Sequence, residues 1–220
     1  MGSEAPWTRL EAVPLGKFVC DIQASPFRLR RKSHAMRIAA HLKNRTVAIL
    51  ATIAAITSIG YAFAAEPMLQ APNVVPISAR IVTSGQPNAA ALAGLAAQGF
   101  AAVIYLAPPT VPDAVPCEAE IVRAQGMEFI NIPIKFSDPT EADFQAFVAA
   151  MQRLSDRKVL VHCQVNMRAS SMTFLYRVIV GHEKPEPAYE SVARVWSPEG
   201  LWKRLIAAQL KKAGIAFEPY

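Results

Sequence analysis

Cys163 and Arg168 stand five positions apart in the stretch KVLVHCQVNMRASS at residues 158–171, and those two residue types at that spacing suggest a chemistry. A thiolate is a strong nucleophile, and a guanidinium presents a planar fork of donors that grips two oxygens of a phosphate or similar oxyanion at once. Residues 158–162 have the length and β-branched content of a buried strand, and residues 169–180 carry apolar side chains at helical spacing. The loop between them joins a strand end to a helix start. The first amides of a helix lack partners within it, and the helix dipole adds partial positive charge, so an anion docks readily on such a turn. The same field favours ionisation of a thiol placed there. One turn thus supplies a nucleophile, Cys163, and an anion cradle from the amides of Gln164, Val165, Asn166, Met167 and Arg168. His162, just before the nucleophile, reads as a hydrogen-bonded orienter rather than a base.

These residues resemble the cysteine-dependent phosphatases of the protein-tyrosine and dual-specificity kind, whose signature is His-Cys-x5-Arg-Ser/Thr at a strand-to-helix loop. The bacterial phosphatase-like group related to the beta-lactamase-hydrolase-like domain is the nearer match. The pieces that carry the resemblance are IVTSGQP at 81–87, VIYLA at 103–107, GMEFINIP at 126–133 and VHCQVNMRAS at 161–170, in an order spanning roughly residues 78–210. The resemblance implies a three-layer α/β fold, with a central, mostly parallel sheet of four to five strands flanked by helices. It also implies a phosphocysteine on Cys163, help from the Ser170 hydroxyl in releasing it, a general acid from the loop holding Asp138, and a TSGQP turn close to the active loop.

The spacing departs from that signature, because four residues rather than five separate Cys163 from Arg168. Either the loop is one residue shorter, as in rhodanese-type sulfurtransferases, or the helix register is kept and the arginine enters one position early. Asn166 favours the second, since asparagine tolerates the left-handed backbone that glycine provides in the phosphatases. Ser170 also falls seven positions after Cys163, where the family carries its hydroxyl. Three functions stay open: a phosphatase for phosphate monoesters, a sulfurtransferase or persulfide enzyme, and an idle anion-binding module.

The supporting elements follow from pattern. The chain has 220 residues and 52% apolar content, ample for a core. Its net charge of +6 gives no nucleic-acid reading, because residues 1–64 hold nine Lys/Arg against three Asp/Glu while residues 65–220 hold 14 of each. Residues 36–64 read as a secretory signal or membrane anchor, with Arg37, Lys43 and Arg45 before an apolar run and an Ala62-Phe-Ala64 cleavage pattern. Residues 1–35 read as an extension ahead of a true start at Met36, and the domain is then expected to be exported, in the periplasm or anchored facing it. Residues 65–76 read as a linker, and residues 77–220 as the catalytic domain.

Within the domain, strands are predicted at 77–82, 101–106 and 128–134, besides the one entering the loop. Helices are predicted after an Asn88 cap to Gln98, at 118–125, from a Thr140 cap to Leu154, at 186–196 and at 199–213, with Trp196 and Trp202 as core anchors. Four prolines make residues 108–116 an irregular loop of the kind that borders a ligand crevice. Asp138 has two readings: general acid, or a bystander ahead of a helix cap at Thr140 with Glu141 and Asp143 on its first turn. Cys117 and Cys163 are candidates for a cross-link that would silence the nucleophile. The sparse histidines and the cysteine spacing match no zinc pattern, no glycine-rich nucleotide loop is found, and no cofactor is expected. The expected partner is a phosphorylated protein or a small phosphate ester, with membrane contact only through an uncleaved N-terminal anchor.

Overall fold

The computed structural model describes residues 69–220, so the readings of residues 1–35 and 36–64 lie outside the described residues. Five strands form one sheet in the order β1-β2-β5-β3-β4. They are β1 (Val75–Pro76), β2 (Ile81–Ser84), β3 (Ala102–Tyr105), β4 (Glu128–Asn131) and β5 (Val159–His162). Only β1 runs antiparallel to its neighbour. The all-buried VLVH and AVIY runs become β5 and β3, the two strands with neighbours on both sides, as continuous apolar runs in a parallel sheet should.

Alternation along these strands splits the core into two layers. Ala102, Ile104, Val159 and Val161 face one cluster, covered by α3 (Glu141–Arg153), α4 (Met167–Ile179), α5 (Pro185–Ala193) and α6 (Gly200–Lys212). Val103 and Leu160 face a smaller one with Leu92, Leu95 and Val122, from α1 (Ala89–Ala93), its sequel and α2 (Glu118–Arg123). The expected three layers and mostly parallel sheet are what the chain forms. Trp202 is buried as expected and its Nε1 donates to Phe136 O at 2.9 Å, and Trp196 is partly buried and packs against the same core. Among the described residues, no helix is long and apolar enough to cross a membrane.

Several boundaries move for identifiable reasons. The helix expected from Asn88 to Gln98 is cut at Gly94 and resumes as a 3₁₀ turn, Ala96–Gln98, because interior glycine favours breaking a helix. Asn88 does cap it, accepting from Ala91 N at 2.8 Å. Strand β4 stops at Asn131, whose side-chain amide donates to the carbonyls of Tyr105 and Ala107 at the end of β3. Strand β2 begins at Ile81, after a turn in which Ser78 Oγ accepts from the amides of Arg80 and Ile81. The stretch expected as a linker to residue 76 contributes Leu69 to the smaller core and forms β1.

That stretch also fixes the Cys163 loop. Asn73 Nδ2 donates to Val165 O at 3.0 Å, and Asn73 O accepts from Asn166 Nδ2 at 2.6 Å. Pro72 O accepts from Gly85 N at 2.7 Å, and Gln86 N donates to Gln164 O at 2.9 Å. The TSGQP turn is therefore packed on the loop, where the resemblance had put it. Its glycine is required by closeness, since a Cβ on Gly85 would lie 2.7 Å from Gln164 O and 2.9 Å from Pro72 Cβ.

Two substitutions test this scaffold. Gly85→Ala is expected to lower the free energy of unfolding by about 1–3 kcal/mol, the usual cost of overpacking, in urea titrations. Asn166→Ala is expected to be more destabilising than Asn166→Gly by about 1 kcal/mol, because both lose the side-chain hydrogen bonds but only alanine is strained in the left-handed region. Equal losses would remove the backbone reason for Asn166.

Candidate active site

Three parallel strands bring the site together. In register, His162 at the end of β5 lies beside Ser84 of β2 and Tyr105 of β3. The chain then turns into α4 through Cys163, Gln164, Val165 and Asn166. Asn166 is the N-cap, with φ +73° and ψ −3°, so the left-handed residue expected three positions after the cysteine is present. The helix starts at Met167 rather than Ala169, which puts Arg168 inside its first turn. A left-handed residue ends the loop early, so the arginine arrives on the helix rather than ahead of it.

The loop has the groups of an anion cradle. Among the described residues, the amides of Gln164, Val165, Met167 and Arg168 meet no protein acceptor, as expected where a helix begins. Cys163 is a free thiol with no exposed surface, and its amide donates to Ser84 O at 3.3 Å. The Cys117–Cys163 cross-link weighed from sequence is not formed, because Cys163 is free. Arg168 is 5% exposed. Its Nε donates to Ile134 O at 3.0 Å, its Nη1 lies 3.4 Å from Gln164 Oε1, and its guanidinium carbon sits 5.1 Å from the centre of the Phe136 ring. The arginine is thus held against the segment that leads to Asp138.

Asp138 itself is exposed, two residues past Phe136, with its amide on Lys135 O. Among the described residues its carboxylate has no hydrogen-bond partner. Thr140 and Asp143 form the capping box of α3, so the helix start uses Asp143 and leaves Asp138 uncommitted. Ser170 is buried and its Oγ donates to Met167 O at 3.2 Å, one helical turn back. Val165 is 41% exposed at the outer edge of the loop, and Met167 is half-buried. Among the described residues, no group of three or more His, Cys, Asp or Glu side chains could hold a metal ion.

Sequence reasoning missed three polar residues around the loop. Asp113, in the proline-rich loop, accepts from Gln164 Nε2 at 2.7 Å. Glu118, the first residue of α2, puts Oε1 2.7 Å from His162 Nε2, and its Oε2 accepts from Gln86 Nε2 at 2.9 Å. Tyr105 stacks on His162 with ring centres 4.7 Å apart and planes 18° apart. Burial first, then the negative charges of Glu118, Asp113 and Cys163, push the Tyr105 phenol above its ordinary range, with Arg168 opposing. Tyr105 therefore keeps its proton and serves as a neutral wall. The one signal available in sequence was the proline-rich loop after a parallel strand, which marks a crevice without naming its residues.

Known proteins share this fold. A crystal structure from Shewanella putrefaciens CN-32, of a DUF442 protein named as a phosphatase, superposes with a TM-score of 0.61 at 28% identity, over 66% of this chain and 95% of that one. The structure of Tk-PTP in its active form, at 20% identity and a TM-score of 0.51, over 64% of this chain and 96% of that one, shares the fold. A beta-lactamase hydrolase-like protein of Xylella fastidiosa (strain Temecula1) is 33% identical over 115 residues, 51% of this chain but 26% of that protein, so the chain spans only a part of such relatives. The family model described as DSP-PTPase phosphatase fused to NAD+ kinase matches residues 69–200, which hold the whole sheet and the Cys163 loop, and the chain belongs to that phosphatase family.

Proposed function

We propose that the domain hydrolyses phosphate monoesters through a phosphocysteine on Cys163. The observation that carries this reading is the junction of β5 and α4, where a free thiol, unpaired amides and a tethered arginine share one turn. In the first step the Cys163 thiolate attacks phosphorus, a P–S bond forms, and the P–O ester bond breaks. The amides and the Arg168 fork hold the equatorial oxygens while charge builds on them. The leaving oxygen takes a proton from the Asp138 carboxyl group. Water then attacks phosphorus, Asp138 takes the water's proton back, and the P–S bond breaks to release inorganic phosphate and the thiolate. Ser170 serves this second step by turning its hydroxyl from Met167 O toward the sulfur.

Cys163 has no exposed surface, so groups around it must shift as the phosphate enters, and in this reading the Arg168 side chain and the Phe136 segment it packs on are the ones that move. Tethering at Ile134 O lets one movement carry arginine and acid loop together. The substrate is a phosphorylated protein or a small phosphate ester. With the leader reading of residues 36–64, the working compartment is the periplasm.

The full chain is to be assayed with p-nitrophenyl phosphate and with thiosulfate, beside Cys163→Ser and Arg168→Ala. Phosphate release is expected to vanish in the first variant and to fall by at least about a hundredfold in the second. A phosphate adduct on the Cys163 peptide after acid quenching is expected. A persulfide on Cys163 with thiosulfate and no phosphate release would transfer the reading to sulfur chemistry, and binding of vanadate without turnover to an idle anion site.

The proton donor is tested separately. Asp138→Asn is expected to lower kcat by about a hundredfold on an alkyl phosphate and much less on p-nitrophenyl phosphate, whose leaving group needs little protonation. Asp113→Asn is expected to leave that contrast intact. The reverse pattern assigns the proton to Asp113, which already touches the loop through Gln164.

A further inference from the structure

The reaction proposed for Cys163 makes no direct use of Glu118 and Gln86, yet both are buried beneath the loop. Glu118 is 6% exposed and Gln86 8% exposed. They come from the start of α2 and the TSGQP turn, and they converge on His162, which has no exposed surface. A buried carboxylate is costly unless its oxygens receive hydrogens. Glu118 faces two nitrogens: His162 Nε2 at 2.7 Å from Oε1, and Gln86 Nε2 at 2.9 Å from Oε2. Gln86 is itself oriented, because the same Nε2 lies 3.3 Å from Pro87 O.

The other ring nitrogen settles where the proton must be. His162 Nδ1, His162 Nε2 and Glu118 Oε1 are all buried and none makes a well-aligned hydrogen bond among the described residues, but only Nε2 has a carboxylate oxygen within reach, at 2.7 Å. A hydrogen on Nδ1 would be a buried donor with no acceptor nearby, whereas two lone pairs facing each other at 2.7 Å would repel, so the proton belongs on Nε2, where a small turn of either side chain aligns it with the carboxylate. The ring is further fixed by its stack on Tyr105. Its backbone is fixed on both sides, with His162 O accepting from Leu106 N at 2.8 Å and the next amide, that of Cys163, donating to Ser84 O at 3.3 Å.

We propose that Glu118 is a positioning residue: seated by Gln86, it holds His162 in the Nε2-protonated form and so fixes the backbone from which Cys163 enters the anion cradle. Removing the carboxylate leaves a buried N–H without an acceptor one residue before the nucleophile. The ring then turns or draws in water, and the loop loses its fixed floor. Glutamine at the same place still presents an oxygen to Nε2, and Gln86 accommodates it by turning its amide over, which gives work to its now unpartnered Oε1. The proposal rests on Cys163 being the reactive group, but not on the substrate being a phosphate ester.

The test uses the full chain and three readouts. Long-range proton–nitrogen NMR of the histidine rings reports the tautomer of His162, assigned with His162→Gln as reference. Peptide-resolved mass spectrometry gives the rate of Cys163 alkylation by iodoacetamide, and phosphate release gives kcat and KM. The wild type is expected to show the Nε2–H form. Glu118→Ala is expected to lose that signature and to change the alkylation rate and kcat by about tenfold or more, with KM nearly unchanged. Glu118→Gln is expected to keep the signature and to stay within about threefold of wild type. An Nδ1–H form in the wild type overturns the proposal without any variant, as does a folded Glu118→Ala that alkylates and turns over like wild type. A wild type without phosphatase activity overturns the phosphatase reading alone, since tautomer and alkylation are still read.

Discussion

A parallel strand buried on both faces has to become a helix within four residues, and the backbone makes that reversal at one left-handed position, Asn166. A non-glycine residue remains there only when its surroundings over-determine it. Here its side-chain amide donates to Asn73 O and to Thr83 Oγ1 at 3.0 Å, while its carbonyl accepts from Ser170 N at 2.9 Å as the helix begins. Strand β2 and the segment before it clamp the loop's outer side, and the register of β5 between β2 and β3 sets its root. Among the described residues, the amides of Gln164, Val165, Met167 and Arg168 are left without protein acceptors because they lie at the start of a helix. An anion site of this kind is a consequence of how tightly the turn is tied from behind.

That tie explains what could be read from residues alone. Strand β5, the helix after it, the α3 cap at Thr140 and the reactive pair are local patterns, each carried by neighbours within a turn or a strand. The contacts that complete the site are not local. Asn166 meets Asn73 from 93 positions away, Gln164 meets Asp113 from 51, and Gln86 meets Glu118 from 32. No propensity or periodicity carries such pairings. The prolines of residues 67–76 read as a linker for the same reason: their composition is that of a loop, and only the folded sheet shows that Pro72 and Asn73 are straps on the turns around Cys163. The helix broken at Gly94 is a different kind of miss, in which alanine-rich composition outweighed the one residue that ends it.

The short Cys-to-Arg spacing also acquires a physical account. An arginine on the first helical turn projects from a fixed axis, so its direction is set by α4 rather than by loop conformation. One edge of the guanidinium is committed to Ile134 O, and its face to Phe136. The remaining donors form the fork available to an oxyanion. A residue removed from the loop would move the arginine by a third of a helical turn if the helix began at the same point. The left-handed N-cap instead brings the helix start toward the cysteine, and the arginine keeps its reach by joining the helix.

This arrangement couples elements that would otherwise move independently. Ile134 and Phe136 lie on the path to Asp138, and Phe136 packs between Trp196 and Trp202 with ring centres 5.7 Å from each. Trp202 in turn holds Phe136 O from α6. In the reading proposed above, Arg168 keeps Nε on Ile134 O while its other donors face the anion, so anion binding and the placement of Asp138 draw on one set of contacts. On the opposite side, Gln164 divides its amide between Arg168 and Asp113. The cradle is therefore bordered by two loops, each with one uncommitted or lightly held carboxylate and each tied to the loop through a different side chain. Each border is thus held by a side chain of the loop's own turn, Arg168 on one side and Gln164 on the other.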